Sequence, residues 1–567
     1  MLKNKKTKKN KQRLLAGRCF TKNQHLKNQL SAEQPIDPTM GCFLLIRLYN
    51  RAYEFMKAQH ICGVVETGQH GLVIDIECQL TKGLPNILIV GYANKAVDEA
   101  KERIRNAFAS SNLTLPIKRI TINLAPADIP KESTGFDVAI ATAILQASGQ
   151  LLHVPKNCAI IGELGLEGDV RPIRGIIGKL LAGKHYGLDT FIVPQGNLEQ
   201  AKLVPDIRIM PIATLTELYS YLNGQKEPTI IDTAAIASSA EANIVNVDDT
   251  QPLLEDVIGQ ELGKRAIEIS AAGGHNVLLG GPPGTGKSML AQVLPGLLPS
   301  MSREEMLQVT HLHSLASNDF NQLITRRPFR SPHHSASNVA IVGGGNSVRP
   351  GELSLSHRGV LLFDELPEFA RVTVEALRQP LEDRKVTIAR AKETAEYPAH
   401  FIFIATANPC PCGNYGTTKP CRCLPHQIIQ YRRKLSGPIL DRIDLYVNVH
   451  EIDNRRLLAE APTSGQTTRL VREKVAQARD RQAQRFSSTT KLNADMSNRE
   501  VKLHARLDPQ AKDMLDTAAE KFGLSPRAYM RSVKVARTIA DLDNSDTIAT
   551  KHIAEALQYR PHQYHEQ

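Results

Sequence analysis

The chain has 567 residues, of which 42% are hydrophobic and 23% charged, a composition ordinary for a globular protein of more than one core. No apolar run approaches the roughly 20 residues of a membrane helix, and no long apolar segment follows the basic start, so neither a membrane partner nor a secretory signal is expected. Residues 1–55 hold 12 basic and 3 acidic side chains, hence +9 of the net charge of +12, and the nearly neutral remainder does not by itself indicate nucleic-acid binding.

Residues 1–55 begin with a lysine- and asparagine-rich run that lacks an apolar period, which predicts a basic disordered extension. Two interpretations stay open: the extension belongs to the native protein, or translation starts at Met56, just before sequence that has the character of a folded domain.

Residues 56–225 have the alternation of strand and helix patterns that predicts an α/β domain. The predicted strands cover Leu72–Leu80, Asn86–Val90, Arg119–Leu124, Cys158–Ile161 and Phe191–Val193, and the predicted helices cover Val97–Ser110, Val138–Gln146 and Thr214–Leu222. Residues 226–250 are rich in Ala, Ser, Thr and Asp and predict a linker. A second α/β domain is predicted over residues 251–455, and a mainly helical domain over 456–567.

A glycine-rich loop lies between a predicted strand, Val277–Leu279, and a helix predicted to open at Ser288. The loop fits the pattern G-x-x-x-x-G-K-S, in which backbone N–H groups and a helix N-terminus surround phosphate oxygens. The pattern predicts binding of ATP with Mg²⁺, the lysine contacting the phosphates and the serine contacting the metal. The predicted nucleotide-binding residues are Gly281, Pro282, Pro283, Gly284, Thr285, Gly286, Lys287 and Ser288.

A predicted buried strand, residues 359–363, ends in Asp364 and Glu365. An aspartate at a strand tip is suited to hold Mg²⁺, and a following glutamate is suited to polarise the attacking water in ATP hydrolysis. The interpretation without chemistry is that the two acids cap the following helix. A third buried strand, Phe401–Ala407, ends at Asn408, for which a turn-forming role before proline is the alternative.

Several segments resemble the ComM/YifB family, which are magnesium-chelatase-like AAA+ ATPases with an amino-terminal domain similar to the Lon protease catalytic domain. The resemblance covers roughly residues 57–560 and is carried by GLPNILIVG (83–91), RITINLAPADIPKESTGFDVAIATAIL (119–145), IGELGLEGDVRPIRG (161–175) and the run from Arg327 to Gly359. It implies a Lon-like domain at 56–225, an AAA+ core with a parallel sheet at 251–455 and a helical lid at 456–567. It also implies that the VIGQ stretch ending at Gln260 packs on adenine.

The similarity to Lon protease permits a test for protease chemistry. When Pro130–Asp137 and Gly175–Lys179 are laid on the two Lon motifs, Gly135 stands at the nucleophile and Ile177 at the lysine. A Ser–Lys dyad needs a hydroxyl and an amine, so a protease-like scaffold without protease activity is predicted. Ser133 and Lys179 lie nearby but offset from the aligned positions.

The AAA+ resemblance also implies the residues that complete hydrolysis. Asn408 corresponds to the sensor 1 residue, Arg442 to an arginine finger delivered to a neighbouring subunit, and Arg527 to the sensor 2 arginine. A finger acting between subunits implies a homo-oligomeric ring, by family resemblance a hexamer. A salt bridge of Arg442 with Asp441 or Asp444, and a solvated helix-start arginine at 527, are the alternatives.

Four of the nine cysteines cluster in an insertion at 408–424, and the other five are scattered, which favours a reducing cytoplasm over a disulfide framework. The four are Cys410, Cys412, Cys421 and Cys423. They suit a Zn²⁺–S₄ site, although each pair is separated by one residue where structural zinc usually has two or more. A redox-sensitive pair and plain loop packing stay open.

A hairpin is predicted from Lys385–Arg390 and Glu396–Ile404, with Lys392 at its tip. Such hairpins line the pore in related rings, so Lys392, with Arg326, Arg327 and Arg330, is a candidate contact to DNA phosphates; surface loops with solvated charge are the alternative. For the ComM branch the resemblance implies a helicase that moves single-stranded or branched DNA in recombination of incoming strands. A magnesium-chelatase motor subunit, an ATP-dependent protease and a non-enzymatic recombination scaffold are the rival functions.

Overall fold

The structure is a computed structural model and describes residues 61–67, 70–91, 95–126, 134–151, 154–234, 252–316, 323–345, 348–389, 394–417, 419–435, 437–451 and 466–560. The predicted extension at 1–55, Met56, Ser133 and Lys392 lie outside these residues. Among the described helices, none is both long enough and apolar enough to cross a membrane.

The first part of the chain forms an eight-stranded mixed sheet with helices on both faces. Its strands, with the small pair β6–β7 beside them, are β1 (Ile61–Thr67), β2 (His70–Thr81), β3 (Asn86–Val90), β4 (Arg119–Ala125), β5 (Cys158–Ile160), β6 (Glu163–Leu164), β7 (Val170–Arg171), β8 (Thr190–Pro194), β9 (Arg208–Ile212) and β10 (Ile231–Asp232). Their order across the sheet is β10-β9-β8-β5-β1-β2-β4-β3. The helices are α1 (Lys95–Ser110), α2 (Asp137–Ala147), α3 (Ile176–His185), α4 (Leu198–Ala201) and α5 (Leu215–Leu222).

The predicted elements of this domain are all present, but the strands β1, β6, β7, β9 and β10 and the helices α3 and α4 were not predicted. The burial pattern of β4 alternates strictly, with Ile120, Ile122 and Leu124 inside, as its sequence alternation predicts. The strand β10 pairs with β9, Ile231 opposite Ile209, so the sheet extends into the stretch 226–250 that was predicted as a linker. The division of the chain at 225 and 250 stays a prediction.

The second α/β part contains a five-stranded sheet in the order β12-β15-β18-β11-β19, and every neighbouring pair is parallel. The strands of this part are β11 (Val277–Gly280), β12 (Phe329–Arg330), β13 (Gly343–Gly344), β14 (Arg349–Pro350), β15 (Val360–Phe363), β16 (Lys385–Ala389), β17 (Thr394–Pro398), β18 (Ile402–Ala407) and β19 (Leu445–Asn448). Its helices are α6 (Glu261–Gly273), α7 (Lys287–Leu297), α8 (Arg303–Ala316), α9 (Asn338–Val342), α10 (Glu352–Leu355), α11 (Arg371–Ala376), α12 (Arg378–Asp383), α13 (Pro425–Arg433) and α14 (Gly437–Leu440). Since parallel strands end at one edge, the residues that follow β11, β15 and β18 meet there.

The predicted hairpin is present, but the extent of its second strand was wrong. The strand β16 pairs antiparallel with β17, Lys385 opposite Pro398. Residues up to Ile404 were assigned to the same arm, whereas β18 begins at Ile402 and lies in the parallel sheet beside β11 and β15. Pro398 has no N–H for a further ladder bond, which is a physical reason for β17 to end there.

The described carboxy-terminal residues are helical, as predicted. The helices are α15 (Gln466–Phe486), α16 (Asn498–His504), α17 (Pro509–Phe522), α18 (Pro526–Leu542) and α19 (Thr550–Gln558). An ion network lies inside this region: Asp541 accepts hydrogen bonds from Arg485 Nη1 at 2.8 Å and Arg537 Nη2 at 2.9 Å, and its side chain is 1% exposed. Asn493 Nδ2 also donates to Asp541, at 2.8 Å.

Candidate functional site

The predicted phosphate loop lies at the carboxyl edge of the parallel sheet, between β11 and α7. Its first glycine, Gly281, has no room for a side chain, because a Cβ there would lie 2.2 Å from the Val449 carbonyl oxygen. Gly286 precedes α7 with φ +86°, a left-handed conformation that favours glycine. The first turn of α7 therefore faces the loop with the unpaired N–H groups of a helix N-terminus.

Lys287 is buried at the start of α7, and its ammonium group lies inside the loop. Lys287 Nζ donates to the carbonyl oxygens of Gly281 at 2.7 Å and Pro282 at 2.6 Å. It also donates to Asn408 Oδ1 at 3.2 Å. Burial lowers the pKa of Lys287, and the Asp364 and Glu365 carboxylates oppose that effect. A cation held in this position faces the place where phosphates would lie on the loop.

Ser288 and Asp364 lie close enough to be ligands of one cation. Ser288 Oγ is 3.0 Å from Asp364 Oδ2 and 3.2 Å from Oδ1. Oxygen ligands at adjacent corners of a Mg²⁺ octahedron are about 3.0 Å apart, given Mg–O distances of about 2.1 Å. The donor set therefore fits Mg²⁺.

Thr406, which no sequence motif indicated, orients both acidic residues. Its Oγ1 donates to Asp364 Oδ1 at 2.6 Å and accepts from the Glu365 backbone N–H at 2.8 Å. The signal that could have found it is position: Thr406 precedes Asn408 by two residues on a strand, where side chains alternate between faces.

Glu365 is exposed beside Asn408, facing the same loop. Its backbone has φ +54°, unusual for a residue with a side chain, and Asn408 Nδ2 donates to its Oε1 at 3.3 Å. The carboxylate is thus available to water near the phosphate loop. Lys287, Ser288, Asp364, Glu365 and Asn408 come together as the motifs implied, while their catalytic roles stay predictions.

A cavity of about 330 Å³ lies beside the loop at the same edge of the sheet. It is lined by Gln260, Glu261, Leu262, Tyr446, Asn448, His450 and Gln558. Gln260 Nε2 donates to the His450 carbonyl oxygen at 2.6 Å and approaches the Thr285 carbonyl oxygen of the loop at 3.4 Å. This placement is compatible with the predicted adenine contact at the end of the VIGQ stretch.

Arg442 and Arg527 lie away from this site, at the amino edge of the sheet. Arg442 precedes β19, and its carbonyl oxygen accepts from Asn276 Nδ2 at 2.8 Å, where Asn276 precedes β11. Its guanidinium contacts Glu382, and Arg527 Nη2 lies 3.9 Å from the same carboxylate. The two arginines line a shared cavity of about 690 Å³. Asp441 or Asp444 had been considered as the salt-bridge partner of Arg442. The carboxylate that contacts Arg442 belongs instead to Glu382, which no sequence signal indicated.

The described residues at the Lon-aligned positions carry no dyad. Gly135 lies in a short helical turn before α2, and Ile177 is buried in α3 at 1% exposure. Lys179 is also buried and donates to the Arg174 carbonyl oxygen at 3.4 Å. Ile177 belongs to the same apolar cluster as Leu307 of α8, so the position aligned with the lysine contributes to packing.

The predicted DNA contacts have different surroundings. Arg327 is committed to internal contacts: its guanidinium donates to the carbonyl oxygens of Pro299 at 2.7 Å and Arg358 at 2.8 Å and pairs with Glu305 at 3.2 Å. Because these partners occupy its guanidinium, Arg327 is disfavoured as a DNA contact. Arg330 makes a two-bond pair with Glu352 at 2.5 and 2.6 Å, and Arg326 is exposed.

The four cysteines of the insertion converge on one point. Their sulfur atoms all lie within 4.8 Å of one another. Backbone N–H groups of Asn414 and Arg422 hydrogen-bond to the Cys412 sulfur and lower its pKa to about 6. The cluster can hold a metal ion such as Zn²⁺.

Comparisons with known proteins cover most of the chain. The family described as "Subunit ChlI of Mg-chelatase" matches residues 76–197, "Magnesium chelatase, subunit ChlI" matches 253–457, and "Magnesium chelatase, subunit ChlI C-terminal" matches 465–560. These matches confirm the magnesium-chelatase-like AAA+ resemblance; the family implies ATP and Mg²⁺ and typically forms oligomeric rings.

Two relatives match this chain over nearly the whole of their own length. The competence protein ComM of Haemophilus influenzae is 43% identical over 497 residues, 87% of this chain and 95% of that protein. The uncharacterized protein YifB of Escherichia coli is 41% identical over 492 residues, 86% of this chain and 94% of that protein. A Lon protease of Aster yellows witches'-broom phytoplasma is 25% identical over 171 residues, 28% of this chain, which confirms the Lon-like character of the amino-terminal region.

Proposed function

Because the chain belongs to the ComM/YifB family of magnesium-chelatase-like AAA+ ATPases, we propose that it is an ATP-hydrolysing ring motor that acts on DNA. The observation that carries the ATPase part is the convergence of Lys287, Ser288, Asp364 and Glu365 at one edge of the parallel sheet. The DNA part depends on other observations.

In this proposal each side chain at the carboxyl edge has one task in hydrolysis. Lys287 and the loop N–H groups bind the β- and γ-phosphates, and Ser288 and Asp364 hold Mg²⁺, which supplies charge neutralisation on the phosphate oxygens. Glu365 orients and polarises the attacking water, and Asn408 keeps the Glu365 carboxylate facing the γ-phosphate. The adenine would occupy the cavity beside Gln260.

Arg442 and Arg527 supply the remaining positive charge in trans. Four residues of β11 separate the phosphate loop from Asn276 and Arg442, a distance of about 13 Å at 3.3 Å per residue. An arginine at the amino edge therefore serves a nucleotide bound by a neighbouring subunit, and hydrolysis would require a closed ring, which we propose is a hexamer. The shared contact with Glu382 keeps the two guanidinium groups together.

The DNA part rests on relationship and on the β16–β17 hairpin. A relative over nearly the full length is named a competence protein, and the ComM branch implies branch migration of DNA during recombination. We propose Lys392, whose position in the sequence lies between the two hairpin arms, as a contact to a DNA strand; Arg326 and Arg330 are weaker candidates. Lost protease residues at Gly135 and Ile177 disfavour a protease.

The test is the steady-state ATPase rate of the purified chain with no DNA, with single-stranded DNA and with a four-way junction. We expect hydrolysis in all three cases and stimulation by at least one DNA, and we expect the Glu365→Gln variant to hydrolyse ATP about 10²- to 10⁴-fold more slowly. Hydrolysis without stimulation by either DNA would remove the DNA part and leave the ATPase part standing.

A magnesium-chelatase motor subunit is the second candidate, because all three family matches carry that description. A chelatase motor would hydrolyse ATP without DNA and respond to a porphyrin-binding partner subunit. Stimulation by a DNA junction in the assay above would exclude it as the main activity.

A further inference from the structure

The four cysteines of the 408–424 insertion have the geometry of a metal site. Cys410 Sγ lies 3.4 Å from Cys412 Sγ and 3.7 Å from Cys421 Sγ, and Cys412 Sγ lies 3.6 Å from Cys421 Sγ. A tetrahedron of sulfurs about 2.3 Å from zinc has edges of about 3.8 Å, close to these distances. A disulfide requires about 2.05 Å, so none of these pairs is bonded.

The loop around the sulfurs is built to hold them. Cys410 is fully buried, and its sulfur accepts the Tyr415 backbone N–H at 3.3 Å. Gly413 and Gly416 both have φ +77°, which lets the chain turn tightly between the two pairs. Backbone N–H groups aimed at sulfur stabilise thiolates and are a common outer shell of metal–thiolate sites.

We propose that Cys410, Cys412, Cys421 and Cys423 bind one structural Zn²⁺ ion that braces the phosphate loop. Four thiolates leave no open position for water or substrate, so the ion has a structural role and no catalytic one. The one-residue spacing within each pair, which is unusual for zinc, is accommodated because the second pair approaches from across the glycine turns.

The position of the site in the fold gives the ion its role. A Cβ on Gly413 would lie 2.5 Å from Pro283 Cδ, so the cysteine loop packs directly against the phosphate loop. Asn408 precedes Cys410 by two residues and contacts Lys287. On the far side, Arg432 of α13 lies over the Tyr415 ring, 5.1 Å from its centroid. Without the ion, Gly413 and Asn408 would lose the support that fixes them against the nucleotide site.

The bracing role rests on the proposed ATPase function, but the metal site does not, so the first readout is metal content. Elemental analysis of freshly purified full-length chain should give about one zinc per chain, and X-ray absorption should show four sulfur neighbours at about 2.3 Å. The partly exposed ligands Cys412 and Cys423 should each lose the zinc when changed to Ser. The control Cys62→Ser keeps a hydroxyl to donate to Asp75, as the Cys62 thiol does at 3.6 Å, and should retain the metal.

Zinc well below one per chain, iron in its place, or fewer than four sulfur neighbours would overturn the site, whatever the ATPase rate. The second readout is hydrolysis: Cys412→Ser should slow it by about one to two orders of magnitude, since displacement of catalytic groups by about 1 Å has costs of that size. A zinc-free Cys412→Ser variant with the wild-type ATPase rate would overturn the bracing role. A wild-type chain that holds zinc but does not hydrolyse ATP would overturn the proposed function and not the metal site.

Discussion

Thr406 shows how much of the candidate site depends on a side chain that takes no part in the chemistry. One hydroxyl, buried at the end of β18, donates to Asp364 and accepts from the backbone of Glu365. Since Asp364 is also within 3.0 Å of Ser288, the same hydroxyl supports the geometry of the proposed Mg²⁺ ligands. Thr406 is a positioning residue, and its loss should be visible in metal dependence.

We expect Thr406→Val to weaken Mg²⁺ activation of the ATPase by about 10- to 100-fold, as loss of an outer-shell partner of a metal ligand typically does. The measurement is the Mg²⁺ concentration at half-maximal rate, and excess Mg²⁺ should recover part of the rate. Thr142→Val, which removes an equally buried hydroxyl from α2, is the control. An unchanged Mg²⁺ dependence would contradict the role of Thr406.

Glu365→Gln should reduce hydrolysis by about 10²- to 10⁴-fold, because an amide cannot polarise the attacking water. Binding of a fluorescent ATP analogue should remain, since Lys287 and the loop are untouched. Glu368→Gln changes an exposed acid three residues away and should leave both quantities unchanged. Loss of nucleotide binding in Glu365→Gln would mean that the carboxylate has a structural role instead.

At the scale of elements, the hairpin β16–β17 forms a two-stranded sheet of its own, which packs on the apolar side chains of the parallel sheet that holds the nucleotide site. Its arms are joined by a regular antiparallel ladder from Lys385–Pro398 to Ala389–Thr394. At the base, Lys385 pairs with Glu396 at 3.0 Å, so that lysine is already neutralised within the hairpin. The two lysines of this hairpin, 385 and 392, therefore offer a matched comparison.

Lys392→Ala should weaken DNA binding and lower the slope of log affinity against log salt by about one, as removal of one phosphate contact does. Basal ATPase should be unchanged. Lys385→Ala, at the paired base, should leave the slope unchanged. Equal effects of the two variants would argue against a specific contact from the segment between the arms.

The helix α18 contributes two buried charged side chains, Arg537 and Asp541, to the interior of the carboxy-terminal domain. Asp541 lies between Arg485 and Arg537, and its carboxylate accepts hydrogen bonds from both of these residues and from Asn493. Asp541→Ala should lower the free energy of unfolding by about 3–5 kcal/mol, because it leaves buried guanidinium groups without a counter-charge.

Denaturant unfolding followed by circular dichroism measures this loss. Asp513→Ala, on the exposed face of α17, should change stability by no more than about 0.5 kcal/mol. A similar loss in both variants would indicate that the ion network is not the cause of the loss in Asp541→Ala.

Local pattern accounts for what could be predicted of the elements. The strand β4 was predicted because its apolar alternation is clear. β9 was missed because it is a five-residue strand with Pro211 in its interior, and α3 because Gly178 and Gly183 lower its helical character. The second hairpin arm was extended too far because the apolar run continues through Pro398 into β18, and only the parallel pairing with β11 separates them.

At the scale of the whole molecule, the residues of the nucleotide site were predictable, but the partners of the arginines outside it were not. Each motif is local, and the rule that parallel strands end at one edge brings Lys287, Asp364 and Asn408 together. Glu382 holds Arg442 from a helix 60 residues earlier in the chain, and no local pattern marks such a contact. The internal partners of Arg327, which disfavour it as a DNA contact, could not be predicted for the same reason, since Glu305 and the two carbonyl groups are distant in sequence.

Mixing two inactive variants tests whether Arg442 acts on a neighbouring subunit. Lys287→Ala and Arg442→Ala should each be inactive alone. In randomly mixed rings at equal amounts, half the loops are intact and half the neighbouring arginines are intact, so about a quarter of the wild-type rate should return. No recovery in rings that size-exclusion chromatography shows to be mixed would mean that the arginine serves its own subunit.

Asn276 connects Arg442 at the amino edge of the parallel sheet to the strand that leads into the phosphate loop. It immediately precedes β11, its side chain donates to the Arg442 carbonyl and accepts from the Phe403 backbone, and β11 leads directly into the loop that surrounds Lys287. A close-packed strand of four residues is too stiff to absorb a displacement along its length. In a closed ring, product release at one contact between subunits would shift Arg442, and β11 would transmit that shift to the nucleotide site at the next contact. The subunits would then hydrolyse ATP one after another around the ring instead of all at once.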